Sequence, residues 1–226
     1  MSAGPTPTLL EWRVGEVLFD MDGTLIDSID AIEDAWSAWA TAEDVVLPSA
    51  SALHGRTAHD LVSSLVPSGR IAEALERLNL LEQHPTAPIR VHRGALELIA
   101  GIPAGRWAIV TSATRLVALA RLSAAGIPLP ELLIAGDEVD RGKPDPEPYR
   151  IAQRRDGSRL PAVAFEDAVA GLRSAKAAGC LAVGIAGTVS ADELRPYADA
   201  VIESLADVEV LPTDHGDIRL RVRPLG

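Results

Sequence analysis

Short apolar runs alternate with segments of helical period along most of this chain. Val17-Leu18-Phe19, Ala108-Ile109-Val110, Leu132-Leu133-Ile134, Val163-Ala164-Phe165, Leu181 to Ile185 and Ala200-Val201-Ile202 form the apolar series. Runs of that length with no polar face predict strands buried on both sides, as in a parallel sheet. Helical patterns separate them: one from Gly94, one over 114–125 stopped by Gly126, and one over 169–178 stopped by Gly179. The alternation predicts an α/β fold with a doubly wound parallel sheet.

The pattern changes between about Asp27 and Pro88, where no strong strand run occurs. Ile29, Ile32, Trp36 and Trp39 recur at helical spacing, as do Ile71, Leu75, Leu78 and Leu81. A helical unit over 27–88, inserted into a core made of 14–26 and 89–226, is the expected organisation. Trp36 and Trp39 share the apolar stripe, so core packing is expected of them rather than stacking on a ligand. Residues 1–13, rich in Pro and Thr, predict a frayed leader. Ile218 to Val222 alternates apolar residues with Arg and predicts an added edge strand.

The candidate chemistry sits where the apolar runs stop. Asp20-Met21-Asp22-Gly23-Thr24 follows the first run, and Gly23 breaks the strand into a turn. Two carboxylates so spaced converge on the carboxyl end of a strand, the end at which open α/β sheets bind ligands. They suit a Mg²⁺ site in which one carboxylate is a nucleophile and the other handles protons. An acidic turn after a strand is the plainer reading of this motif alone. Three more segments argue against it: Thr111-Ser112, Gly142-Lys143-Pro144 and Glu166-Asp167 each lie just past an apolar run. In a parallel sheet all four would line one edge.

This ordered set resembles the haloacid dehalogenase-like (HAD) superfamily, over essentially the whole chain. The resemblance implies roles residue by residue. Asp20 would attack phosphorus and become an aspartyl-phosphate, while Asp22 would act as general acid and then base. Thr111 would bond the phosphoryl oxygens, with the backbone N–H groups of Ser112 and Ala113. Lys143 would pair with Asp20 and the phosphoryl group. Asp167, Asp20 and the backbone carbonyl of Asp22 would hold Mg²⁺, with Glu166 as a ligand or directly behind one. The helical insert would be a cap between the first two motifs.

Charge and composition narrow this picture. Of 21 Lys and Arg residues, lysine stands only at 143 and 176. A compact ammonium at Lys143 suits a site shared by two anions, where a guanidinium fork is too large. Lys176 lies in a helix pattern and reads as a solvated charge. The formal net charge of −11 argues against nucleic acid or anionic membranes as partners. The expected partner is a small phosphate ester, met by the local positive charge of Mg²⁺, Lys143 and nearby Arg. No apolar run is long enough to span a membrane, Met1 to Trp12 does not read as a signal peptide, and the single Cys180 reads as a core thiol. A cytoplasmic monomer is expected.

Within the superfamily the resemblance points to phosphoryl transfer. Dehalogenases lack a carboxylate at the position of Asp22, and the phosphonate hydrolases need a cap lysine that this insert does not have. Thr111-Ser112-Ala113-Thr114-Arg115, the stretch from Gly142 to Tyr149 and Phe165-Glu166-Asp167-Ala168 resemble sugar- and polyol-phosphate phosphatases. The β-phosphoglucomutases share the four motifs and are the alternative; a catalytically inert regulator of this fold is a more distant one. Mutases generally carry Lys-Asn where Thr114-Arg115 stands, so phosphatase is favoured. His92-Arg93-Gly94 departs from the Pro-Gly common in such phosphatases. Cap residues would choose the substrate: the polar loop His54-Gly55-Arg56-Thr57, with His59 and Asp60, puts Arg56 forward for the non-reacting part of the ester. Arg115, four residues after Thr111, is a second candidate for substrate contact and equally reads as a first-turn surface Arg.

Overall fold

In the computed structural model, which describes residues 8–48, 57–153, 160–213 and 216–226, the apolar runs assemble into one parallel sheet. Its strands are β2 (Glu16–Phe19), β5 (Trp107–Val110), β6 (Leu132–Ile134), β7 (Ala162–Glu166), β8 (Leu181–Ile185) and β9 (Ala200–Ile202). Their order is β6-β5-β2-β7-β8-β9. The chain starts at β2, builds outward through β5 and β6, then crosses back to build from β7 on the other side. β2 is therefore the switch point, where a crevice opens beyond the strand ends.

Period-two alternation divides the apolar residues between the two faces. Val17, Phe19, Ile109, Val163 and Phe165 share one cluster with residues of α4 (Ala95–Gly101) and α5 (Arg115–Ala125). Leu18, Val110 and Ala164 share the other with α6 (Glu147–Ala152) and α7 (Val169–Ala177). Phe19 stacks on Phe165 with ring centroids 5.3 Å apart and meets Trp107 edge-on. Its backbone thus ends in a rigid, fully buried anchor immediately before Asp20.

The helices α1 (Ile29–Glu43), α2 (Ala58–Leu65) and α3 (Ile71–Gln83) form a cluster of their own around Ile32, Trp36, Trp39, Leu61 and Leu78. Trp39 is buried and donates through Nε1 to the Ala74 carbonyl at 2.8 Å, tying α1 to α3. The chain leaves the core at β3 (Ile26–Asp27) and returns at β4 (Arg90–Val91), and these two short strands pair with each other. Both connections therefore pass through one point. The His92-Arg93-Gly94 departure is met there: His92 N–H donates to Leu25 O, and Gly94 takes φ +85°, against the backbone of Ala206. A side chain at position 94 would run into that backbone.

Two expectations need correction. The leader is not frayed up to Arg13: β1 (Leu10–Val14) pairs antiparallel with β11 (Ile218–Val222). The tail strand is not an edge either, because β11 lies between β1 and β10 (Val208–Leu211). Ile218, Leu220 and Val222 face the core, while Arg219 and Arg221 face outward to Glu11. Each strand is half-apolar and gains a buried face only from distant partners. Among the described residues, no helix is long and apolar enough to cross a membrane.

Phe19→Ala removes a fully buried ring at the centre of this arrangement. It is expected to lower unfolding free energy by about 3–5 kcal/mol, read as a lower urea midpoint with little change in slope.

Candidate active site

Asp20 lies one residue beyond β2, and its N–H donates to Phe165 O at 3.0 Å, so the ladder with β7 continues to the carboxylate itself. The chain then reverses through Gly23, which has φ +79°. A Cβ on Gly23 would sit 2.1 Å from Asp167 Oδ2. Only glycine supplies both the left-handed turn and the space for Asp167.

Lys143 stands at the centre of the buried polar groups. Its Nζ donates to Asp20 Oδ1 at 2.6 Å and Val110 O at 2.8 Å, and lies 2.7 Å from Glu166 Oε1. Three acceptors match the three protons of an ammonium. Burial alone would lower the pKa of Lys143, but the carboxylates of Asp20 and Glu166 outweigh it and hold the value above that of a free lysine. Tyr149 OH donates to Glu166 Oε1, and Lys143 Nζ lies 5.4 Å from the Tyr149 ring centroid.

The carboxylates respond in the opposite sense. Burial raises Asp20, Glu166 and Asp167; the charge of Asp20 adds to the rise at Glu166 and Asp167, that of Asp22 adds to it at Asp20 and Asp167, and Lys143 offsets part of it. Asp167 is pushed up to about 7, with a Thr188 hydrogen bond working against the shift. Asp20, Glu166 and Asp167 each bring one oxygen within 4.8 Å of the others. Asp167 Oδ2 is buried and has no hydrogen-bond partner. Three buried carboxylates facing one ammonium, one of them with an orphaned oxygen, form a donor set suited to a hard divalent cation. The Asp22 carboxylate is not part of this cluster: Ser28 Oγ donates to its Oδ1 at 2.5 Å and Arg121 Nη1 to its Oδ2 at 3.0 Å.

Thr111 is buried past β5, and its Oγ1 accepts from the N–H of Ala113 at 3.1 Å. Ala113 N–H is thus turned to Thr111 here. Ser112 and Lys143 line a cleft of about 750 Å³ between the sheet edge and the helical unit, together with His59, Asn79, Thr114 and Asp140. A larger cavity of about 990 Å³ on the β8–β9 side is lined by Gly23 and Thr188, but by none of Asp20, Glu166, Asp167, Lys143 and Ser112. The smaller cleft is the one that reaches the ammonium.

Arg56 and His54 lie outside the described residues. Asp60 pairs with its own helix cap: Thr57 Oγ1 donates to Asp60 Oδ2 at 2.7 Å and accepts from Asp60 N–H. Arg115 does not line the cleft, contrary to expectation. As the first residue of α5 it points along β6, donating to Leu133 O and pairing with both oxygens of Glu138. Lys176 pairs with Asp199 at the surface.

Six residues at the site escaped the sequence reading: Ser28, Asn79, Glu82, Arg121, Tyr149 and Thr188. For two of them a signal existed. Arg121 falls in phase with the buried Val117, Ala118 and Leu122, and Glu82 with Ala74 and Leu78. A charge on an apolar helical stripe marks a buried partner.

Comparison with known proteins bears on the family and the fold. The family described as Haloacid dehalogenase-like hydrolase matches residues 17–185. Hexitol phosphatase A of Escherichia coli is 36% identical over 211 residues, covering 89% of this chain and 96% of that protein. Glycerol-1-phosphate phosphohydrolase 1 of Saccharomyces cerevisiae is 32% identical over 221 residues, covering 89% and 86%. Among solved structures, CbbY from Rhodobacter sphaeroides in complex with phosphate superposes with a TM-score of 0.70 at 27% identity, covering 86% of this chain and 96% of that one. With the match running from β2 to the end of β8, the chain belongs to the haloacid dehalogenase-like hydrolases.

Proposed function

We propose that this HAD-type phosphatase hydrolyses phosphate monoesters of small sugars or polyols through an aspartyl-phosphate on Asp20. The observation that carries the reading is Lys143, buried against Asp20 at 2.6 Å at the floor of the cleft. An ammonium there can neutralise an anionic nucleophile while an anionic ester approaches it.

In this reading an Asp20 oxygen forms a bond to phosphorus as the ester P–O bond breaks. Asp22 gives its proton to the departing alkoxide, then takes one from the water that cleaves the aspartyl-phosphate. Thr111 and the N–H groups of Ser112 and Ala113 hold phosphoryl oxygens, which requires the Ala113 N–H to leave Thr111. Asp20, Asp167 and the Asp22 carbonyl would hold Mg²⁺, with Glu166 behind them beside Lys143. The metal would neutralise charge on the phosphoryl oxygens. The helical unit over 27–88 acts as a cap.

Two observations support a hydroxyl-rich leaving group. Among the described residues, the cleft beyond Lys143 offers uncharged or acidic groups such as Thr114, Asn79 and Asp140. Its one described arginine, Arg141, is paired with Asp145 and Glu147. Such a lining accepts hydrogen bonds from hydroxyls and offers little to a second anion. The hexitol and glycerol phosphate phosphatases among its relatives act on molecules of this kind. Arg56 remains the candidate for the far end of the ester.

Three outcomes are expected. Asp20→Asn, nearly isosteric, should fold normally and release no phosphate; normal turnover would remove Asp20 from the mechanism. Mg²⁺ should raise the melting temperature of the native protein and not of Asp167→Asn, since a ligand that binds only the folded state stabilises it; equal shifts would place the metal elsewhere. On a panel of glycerol 1-phosphate, a hexitol phosphate and a deoxyhexose phosphate, inorganic phosphate should appear without a bisphosphate activator. Interconversion of β-glucose 1-phosphate and glucose 6-phosphate with little phosphate release would replace this reading with a mutase.

A further inference from the structure

The polar network around Asp22 extends out of the core. Arg121, in α5, is 2% exposed, and its two terminal nitrogens point to different parts of the molecule. Nη1 donates to Asp22 Oδ2 at 3.0 Å, and Nη2 donates to Glu82 Oε1 at 3.0 Å. Glu82 is 7% exposed and lies in the last turn of α3, on the helical unit. One guanidinium thus joins the carboxylate two residues from Asp20 to the unit that covers the cleft.

Docking alone is a poor account of this arrangement. Thr114 Oγ1 already donates to Asn79 Oδ1 at 3.1 Å, bridging the start of α5 to α3. Burying an ion pair carries a desolvation cost that apolar side chains of similar volume avoid. Here the cost is increased, because Arg121 Nε is buried without a partner. What an apolar contact cannot do is hold a carboxylate in one orientation. Asp22 is gripped from both sides, by Ser28 on Oδ1 and Arg121 on Oδ2. The planar fork of Arg reaches two carboxylates at once, which a lysine does not.

We propose that Arg121 is a positioning residue for Asp22, and that Glu82 makes this positioning depend on the helical unit being seated against α5. Asp22 is then aligned when the cleft is covered and loses one restraint on its carboxylate when the unit lifts. Chemistry at the leaving oxygen is thereby tied to the covered state. The inference rests on the assignment of Asp22 to proton transfer.

The test exploits leaving groups. Transfer of the phosphoryl group to Asp20 is followed by rapid quench, with p-nitrophenyl phosphate and with the best alkyl ester of the panel above. An alkoxide needs a proton to leave and a nitrophenolate does not. Glu82→Met removes the tie, keeps the side-chain length and leaves Arg121 paired with Asp22. It should slow transfer from the alkyl ester about tenfold, a part of the roughly 10²- to 10⁴-fold that general acid catalysis contributes. Transfer from the aryl ester should slow less than about twofold, and Glu82→Gln, which retains an acceptor, should recover most of the alkyl rate. Equal slowing of both esters, or slowing of neither, overturns the proposal. Should Glu82→Met fail to fold by circular dichroism, Arg121→Lys is read by the same criterion. Asp22→Asn separates the two levels. If it shows no preference for aryl esters, the proton-transfer role and this inference fall together. If it does and Glu82→Met does not, only the inference falls.

Discussion

Negative charge crowded onto one edge of a buried sheet is the constraint to which the rest of this structure answers. Asp20, Glu166 and Asp167 all emerge where parallel strands end, out of water and within reach of one another. Such a cluster is costly unless cations sit inside it. Lys143 meets part of that need with a single nitrogen surrounded by Asp20, Glu166 and the Val110 carbonyl. A guanidinium would spread its donors over a plane, and the converging acceptors leave no room for one. In a chain that otherwise uses arginine almost throughout, the lysine at this position follows from the geometry of the acceptors.

The crowding is itself a product of topology. β2 lies between β5 and β7, so the residues past these three strands become neighbours although they are far apart in sequence. The stacked Phe19 and Phe165 side chains lock the register of β2 and β7 just before Asp20 and Glu166. Gly23 then lets the chain turn beneath Asp167. Each feature is ordinary in an α/β sheet; together they hold the carboxylates close enough that burial and repulsion raise their proton affinity.

The helical unit adds a second level of control. It has its own apolar core, yet it meets the sheet edge through polar groups: Asn79 on Thr114, and Glu82 on Arg121. Polar contacts between two packed bodies are easier to exchange with water than an apolar seam is. That suits a cover that must open for a substrate. α3 lines the cleft with Leu75 and Asn79, and Asn79 faces the same space as Ser112 and Lys143.

Much of this was legible in the sequence, and the reason is local. A fully buried strand needs only a short apolar run, so β2, β5, β6, β7, β8 and β9 were visible as such, and the polar groups past several of them marked the sheet edge. β11 was legible as a strand over 218–222 but not its place between two others; β1 was missed, because Leu10, Trp12 and Val14 alternate with Glu11 and Arg13 and acquire a buried face only by pairing across more than 200 residues. Arg115, four residues after Thr111, was open to either a site role or a surface one, and the direction of the first turn of α5 sends it to Glu138. Arg121 and Glu82 lie on apolar helical stripes, a pattern in the sequence that marks both for burial although it was not read as such. Only the tertiary structure decided that they meet each other and Asp22, because periodicity specifies which face of a helix leaves water and carries no information about what is packed against it.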